Sequence, residues 1–173
     1  MANDGIRERI LDAAERRAQR GGYNAFSFRE LAADVGVKSS SVHYHFATKE
    51  ALLQALVERY CARTRERLGE GAMLSPDEAL RRLTAIFREA LVDDNRMCLC
   101  GLLAAERDGL PPNVDAAVAD YFRMILAYLR AALGDEEGRG TPEAVLATLE
   151  GALIVARSLC DHSIFERAVA QHC

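Results

Sequence analysis

The chain has 173 residues, half of them hydrophobic, with 22 Lys and Arg against 26 Asp and Glu for a net charge of −4. That length builds one or two small domains with a substantial core, and no apolar run approaches what a bilayer span needs. The polar N-terminus carries no secretory signal pattern, so the expectation is a cytoplasmic protein with no membrane partner.

The first expected helix runs from Ile6 to Gly22. Ile6, Ile10, Ala14 and Ala18 form one stripe, Arg7, Arg9, Arg16, Arg17 and Arg20 lie elsewhere, and Gly21-Gly22 stops it. Ser27 then N-caps a second helix, and Glu30 three residues on completes a capping box. Leu31, Ala32 and Val35 give that helix an apolar face, and Gly36 stands where a left-handed C-cap is wanted. After Val37, the stretch Lys38-Ser39-Ser40-Ser41 opens a short third helix. Val42 and Phe46 face inward from it, leaving Ser39, Ser40, His43 and Tyr44 outward. Two short helices joined by a tight Gly turn make a helix-turn-helix, whose second helix enters the DNA major groove. The charge distribution agrees: residues 1–50 sum to about +1 and the rest to about −5, and Lys occurs only at 38 and 49.

Thr48 caps a fourth helix carrying Leu52, Leu53, Leu56, Val57, Tyr60 and Leu68, ended by Gly69 and Gly71. Ser75-Pro76 starts a fifth, with Pro at its first position and Leu80, Leu83, Phe87 and Leu91 on one face. Asp93-Asp94 read as loop charges before a small apolar helix, Met97 to Arg107. Gly109 and Pro111-Pro112 break it, and the second Pro opens a helix with Val118, Tyr121, Phe122, Ile125, Leu129 and Leu133. Gly134 to Gly140 is the most polar loop. Thr141-Pro142-Glu143 starts a helix rich in small residues (Ala147, Gly151, Ala152, Ala156), and Asp161 caps a last one, Ser163 to Val169. No strand-like alternation and no repeat appear, so the fold class is all-α.

The stretch from Ile6 to Leu56 resembles the N-terminal domain of TetR-family transcriptional regulators. Its landmarks are Ile10, Ala13-Ala14, Gly22, Phe28, Leu31-Ala32, Gly36-Val37, Tyr44, His45-Phe46, Lys49-Glu50 and Leu52. Ser40 stands where the family most often has Gly, His43 where Tyr is common, and Ala47 replaces a frequent Pro. The resemblance implies a three-helix DNA-binding domain over residues 1–47 and a helical ligand-binding and dimerisation domain over 48–173. It makes the protein a homodimer on a palindromic double-stranded DNA operator, released by a small-molecule effector. Alternatives are a thiol-based redox or electrophile-sensing regulator, and a small-molecule-binding protein without specific DNA activity.

Within that frame Ser27, Lys38, Ser39, Ser40, Ser41, His43, Tyr44, Thr48 and Lys49 are the candidate DNA contacts. Lys49, Thr48 and the Tyr44 hydroxyl would hold phosphates, while Lys38, Ser39, Ser40 and His43 would meet base edges. Effector-pocket candidates are Tyr60, Phe87, Leu91, Leu102 and Leu103, together with Tyr121, Phe122, Ile125 and Tyr128. The small-residue face at Ala147, Gly151 and Ala152, with Phe165, is the candidate dimer interface.

Five cysteines, an odd number, argue against a disulfide framework. Cys98 and Cys100 are the candidate redox pair, although on a helix they point to nearly opposite sides, and buried cysteines ordinarily act as small apolar residues. His43 and His45 diverge on one helix, and Cys160, His162, His172 and Cys173 match no zinc spacing, so no metal is expected. Gly134, Gly138 and Gly140 follow a helix, not a strand, so they form no phosphate-cradling loop. Neither a cofactor nor catalysis is expected.

Overall fold

The computed structural model describes residues 2–134 and 140–170. Among these, nine α-helices appear: α1 (Ala2–Gly21), α2 (Phe28–Val35), α3 (Ser39–His45), α4 (Lys49–Leu68), α5 (Pro76–Asp94), α6 (Leu99–Ala105), α7 (Pro112–Leu133), α8 (Pro142–Ser158) and α9 (Ser163–Val169). Short 3-10 turns at Gly71–Met73 and Arg107–Gly109 join them, and no strand occurs among the described residues. The all-α expectation holds.

Helix boundaries follow local chemistry. The side chains of Ser27, Ser75 and Thr141 each accept the backbone N–H three residues on, capping α2, α5 and α8. Pro76 and Pro142 sit in the first turn, where a missing N–H costs nothing. Asp161 accepts the N–H of Ser163 at 2.9 Å and so supports the start of α9. Two details depart from expectation. Asp93 and Asp94 close α5 instead of lying in a loop, because Asn95 adopts the left-handed C-cap at φ 50. The small apolar helix begins at Leu99 and not at Met97, which leaves Cys98 just outside it. Asp135, Glu136, Glu137, Gly138, His172 and Cys173 lie outside the described residues.

Contacts divide the chain into two compact units, Met1–Tyr60 with Leu99–Ala119, and Cys61–Cys98 with Asp120–Cys173. In the first, Ile10, Leu11, Ala14, Leu31, Val42, Leu52, Leu53, Leu56 and Leu103 are fully buried. Arg59 lies against the acidic side of α1, 2.9 Å from Glu8, Asp12 and Glu15, and so joins α4 to α1. In the second, α8 packs on α5 and α9 around Leu80, Leu83, Phe87, Tyr121, Ile125, Leu149, Leu153 and Phe165. The Tyr128 hydroxyl donates to the Ala79 carbonyl at 3.2 Å, and Gly71 lets the backbone come against Tyr128 where a Cβ would clash at 2.5 Å.

Candidate nucleic-acid interface and sensing unit

The helix-turn-helix is built from its caps outward. Ser27 Oγ accepts the Glu30 N–H at 3.3 Å and the Ser27 N–H donates to Glu30 Oε2 at 2.8 Å, so the box is complete. The Ser27 hydroxyl, which also donates to Glu30 Oε2 at 2.8 Å, and the Ser27 N–H hold the Glu30 carboxyl below its ordinary pKa. Gly36 takes φ 72, a conformation that favours glycine, and its N–H and that of Val37 close on Ala33 and Ala32 carbonyls. The chain therefore turns sharply into α3, whose Val42 and Phe46 are buried. From α1, Arg17 pairs with Asp34 at 2.5 Å and Arg9 donates to the Val35 carbonyl, fixing the end of α2.

This leaves one face of α3 open. Lys38, Ser39, Ser40 and His43 are exposed and Tyr44 is 75% exposed, whereas Ser41 and His45 are half-buried. The His43 ring meets Phe28 edge-on at 4.7 Å, which restrains the one imidazole of that face. Beside it a groove of about 320 Å³ is lined by Phe26, Ser27, Phe28, His43, Ala47, Thr48 and Lys49. Seven of the nine sequence-derived contacts, Ser27, Lys38, Ser39, Ser40, His43, Tyr44 and Thr48, are exposed around α3 and the start of α4. Lys49 is less free than its sequence position implied. Its ammonium lies over the Tyr23 ring at 4.6 Å and the Phe26 ring at 4.9 Å. Burial lowers its pKa, and Glu30 and Glu106 oppose that.

Two features here were not visible in sequence. Glu106, just after α6, accepts the Tyr23 N–H at 2.6 Å, and Gly22 at φ 72 makes room for its carboxylate. A basic cleft of about 600 Å³ between α1 and α2 is lined by Arg16, Arg17 and Arg20 with Asp34. Only long-range contact reveals the first; the arginines of the second were legible as a set but not as a cleft.

Residues 10–56 match the family profile of bacterial regulatory proteins, tetR family. A TetR transcriptional regulator from Legionella pneumophila is 30% identical and superposes with a TM-score of 0.83, over 94% of this chain and 92% of that one. The chain belongs to the TetR family. A TetR-family regulator from Agrobacterium tumefaciens is also 30% identical, with a TM-score of 0.80 over 96% and 95%. The reduced form of NemR from Escherichia coli is 26% identical, with a TM-score of 0.73 over 96% and 95%. No curated protein sequence matches. As a TetR-family member the protein is a DNA-binding transcriptional regulator, with the helix-turn-helix N-terminal and a helical domain following it. No helix of the described residues is long and apolar enough to cross a membrane.

The other candidate residues of this TetR-family chain are placed as follows. Tyr60, Leu102 and Leu103 fall in the first unit, and Phe87, Leu91, Tyr121, Phe122, Ile125 and Tyr128 in the second. Leu102 and Phe122 are half-buried and the others buried. Cys98 and Cys100 are both buried, so neither offers the solvent access a sensing thiol needs. On α8 the dimer candidates divide. Ala152, and Phe165 on α9, are buried inside the single chain, whereas Ala147 is exposed and Gly151 half-buried. The open face is Ala147 and Gly151 with Ile154, Val155 and Leu159, spaced as one helical stripe. Sequence reasoning passed over Glu150, which is inside the second unit with both carboxyl oxygens shielded.

Proposed function

We propose that this TetR-family protein is a ligand-responsive repressor, with residues 1–47 reading DNA and 48–173 sensing the effector and dimerising. The observation that carries the reading is the single open face of α3, where Lys38, Ser39, Ser40, His43 and Tyr44 stand exposed above a buried Val42 and Phe46. Such a helix is useful in pairs. Two copies related by a twofold axis would present α3 to successive major grooves about 34–36 Å apart, on a palindromic site. The α8 stripe supports the pairing, because Ile154 at 58% and Leu159 at 64% exposure are large apolar side chains without cover in one chain. On the operator, Lys38, Ser39, Ser40 and His43 meet base edges, and Tyr44, Thr48 and the amide end of α4 meet phosphates.

Release follows from differential affinity. An effector held by the C-terminal helices favours a dimer whose α3 helices no longer match the groove spacing, with a coupling of about 1–3 kcal/mol. Selection of bound fragments from genomic DNA, followed by footprinting, tests the reading: a palindromic site protected over two half-sites is expected. Uniform binding without a preferred site would leave a small-molecule-binding protein with no operator. Thiol sensing is a second reading because a similar protein is known in a reduced form, but burial of Cys98 and Cys100 weighs against it here.

A further inference from the structure

Glu150 stands on α8 between the buried Leu149 and Gly151 of the open stripe. Its two carboxyl oxygens are closed off from solvent, and neither has a hydrogen-bond partner of normal geometry. Burial pushes its pKa up to about 7; the neighbouring Cys98 thiol acts in the opposite direction. The Cys98 thiol also lies 3.8 Å from the Tyr121 hydroxyl, and both residues are buried. A carboxyl, a thiol and a phenol, from α8, the segment before α6, and α7, thus come together inside the second unit, with the buried Leu146 and Leu153 one helical turn to either side of Glu150.

Such a group is expensive. A buried carboxyl served by no more than a weak thiol donor loses most of its hydration and regains little, so a methionine or leucine would serve packing better. What would complete it is constrained by its neighbours. A metal is a poor fit, since no group of three or more His, Cys, Asp and Glu is gathered among the described residues. Two carboxyl oxygens with at most one weak thiol donor between them suit a ligand that brings N–H donors, and charge-assisted bonds to a carboxylate are the strong kind. The Tyr121 hydroxyl beside the Cys98 thiol adds a further polar group to the same cluster.

We propose that Glu150, Cys98 and Tyr121 form a binding site for a small organic cation, an amine or amidine carried on an apolar body. The site deepens the effector reading and rests on it for the consequence at DNA, though not for binding itself. A bound ammonium or amidinium keeps the Glu150 carboxylate ionised by pairing with it, and its apolar body lies toward Leu146 and Leu153, the buried neighbours of Glu150 on α8.

The test uses the full chain with phenethylamine and benzamidine as probes, and 2-phenylethanol and benzamide as neutral counterparts. Calorimetry and thermal shift should show the cations binding and raising Tm, with the neutral counterparts weaker. Glu150→Gln should lose at least about tenfold in affinity for the cations, with its far-UV spectrum and probe-free Tm showing that it folds. Tyr121→Phe should weaken binding less. Equal binding of neutral and charged probes, full affinity in Glu150→Gln, or no binding by either cation would overturn the site. So would a Glu150→Gln effect confined to the monomer–dimer balance, which would make the carboxyl a subunit contact. DNA binding is read in the same samples. Cations that bind through Glu150 without releasing DNA uphold the site and remove the effector reading; intact operator binding with no cation binding does the reverse.

Discussion

Single residues in this chain carry costs that their surroundings either offset or leave standing. Glu150 leaves its cost standing. Its pKa rises from the ordinary 4.5 to about 7 through burial, so between those values the folded state holds a proton that the unfolded state has released. Stability therefore falls as pH rises from 4.5 to about 7 and levels off above, by about 3 kcal/mol in all. Glu150→Gln cannot ionise, so it should exceed the parent by up to about that amount near pH 8. The gap should close toward pH 4.5, and urea denaturation at the two ends of the range measures it. A gap that stayed constant across the range would mean that the carboxyl is not buried in the free protein. Gly22 is the opposite case, a residue whose cost is avoided. At φ 72, with a Cβ position 2.2 Å from a Glu106 oxygen, it suits glycine alone. Gly22→Ala should destabilise by about 1–3 kcal/mol in the same denaturation experiment. Adding Glu106→Ala should relieve the clash but not the backbone strain, so partial rescue is the expected result.

At the scale of elements, the helix-turn-helix and the helix ends were legible because their signals are local. Ser27 with Glu30, Ser75-Pro76, Thr141-Pro142 and Gly36 each determine a cap within four residues, and all four act as caps in the structure. What escaped depends on residues far apart in sequence. Glu106 meets Tyr23 across 83 positions, and no local pattern around Glu150 marks its carboxyl as buried. Asn95 and Cys160 end helices at φ 50 and 51, where a glycine would have announced the stop. Lys49 shows how the two kinds of information combine. Sequence makes it a phosphate contact at the start of α4, while the structure seats its ammonium over Tyr23 and Phe26. If it still contacts phosphate in the complex, Lys49→Ala should weaken binding to all DNA sequences alike and reduce the salt slope by about one. Ser40→Ala and His43→Ala should instead change the preference between operators, because their side chains lie on the open face of α3. Fluorescence titrations at several salt concentrations separate these effects, and an unchanged slope for Lys49→Ala would assign the residue to holding the α1–α2 loop.

At the scale of the whole molecule, α8 has two faces with different requirements. Val145, Leu146, Leu149, Ala152, Leu153 and Ala156 are buried within the chain, whereas Ala147, Gly151, Ile154, Val155 and Leu159 are not fully covered. Leaving two large aliphatic side chains in water forfeits hydrophobic free energy that a second copy would recover, and small residues at 147 and 151 permit close helix approach. A Cβ added at Gly151 meets nothing within 4 Å in the single chain, so a larger residue there leaves the protomer's own packing undisturbed. Gly151→Leu should accordingly keep the helical spectrum of the parent while weakening self-association by about 1–3 kcal/mol through overpacking at the interface. Light scattering across a dilution series measures the association, and operator affinity should fall with it, because each half-site then binds without its neighbour. Were the variant to remain as dimeric as the parent, the open stripe of α8 would not be the interface, and the exposed Ile154 and Leu159 would need another partner.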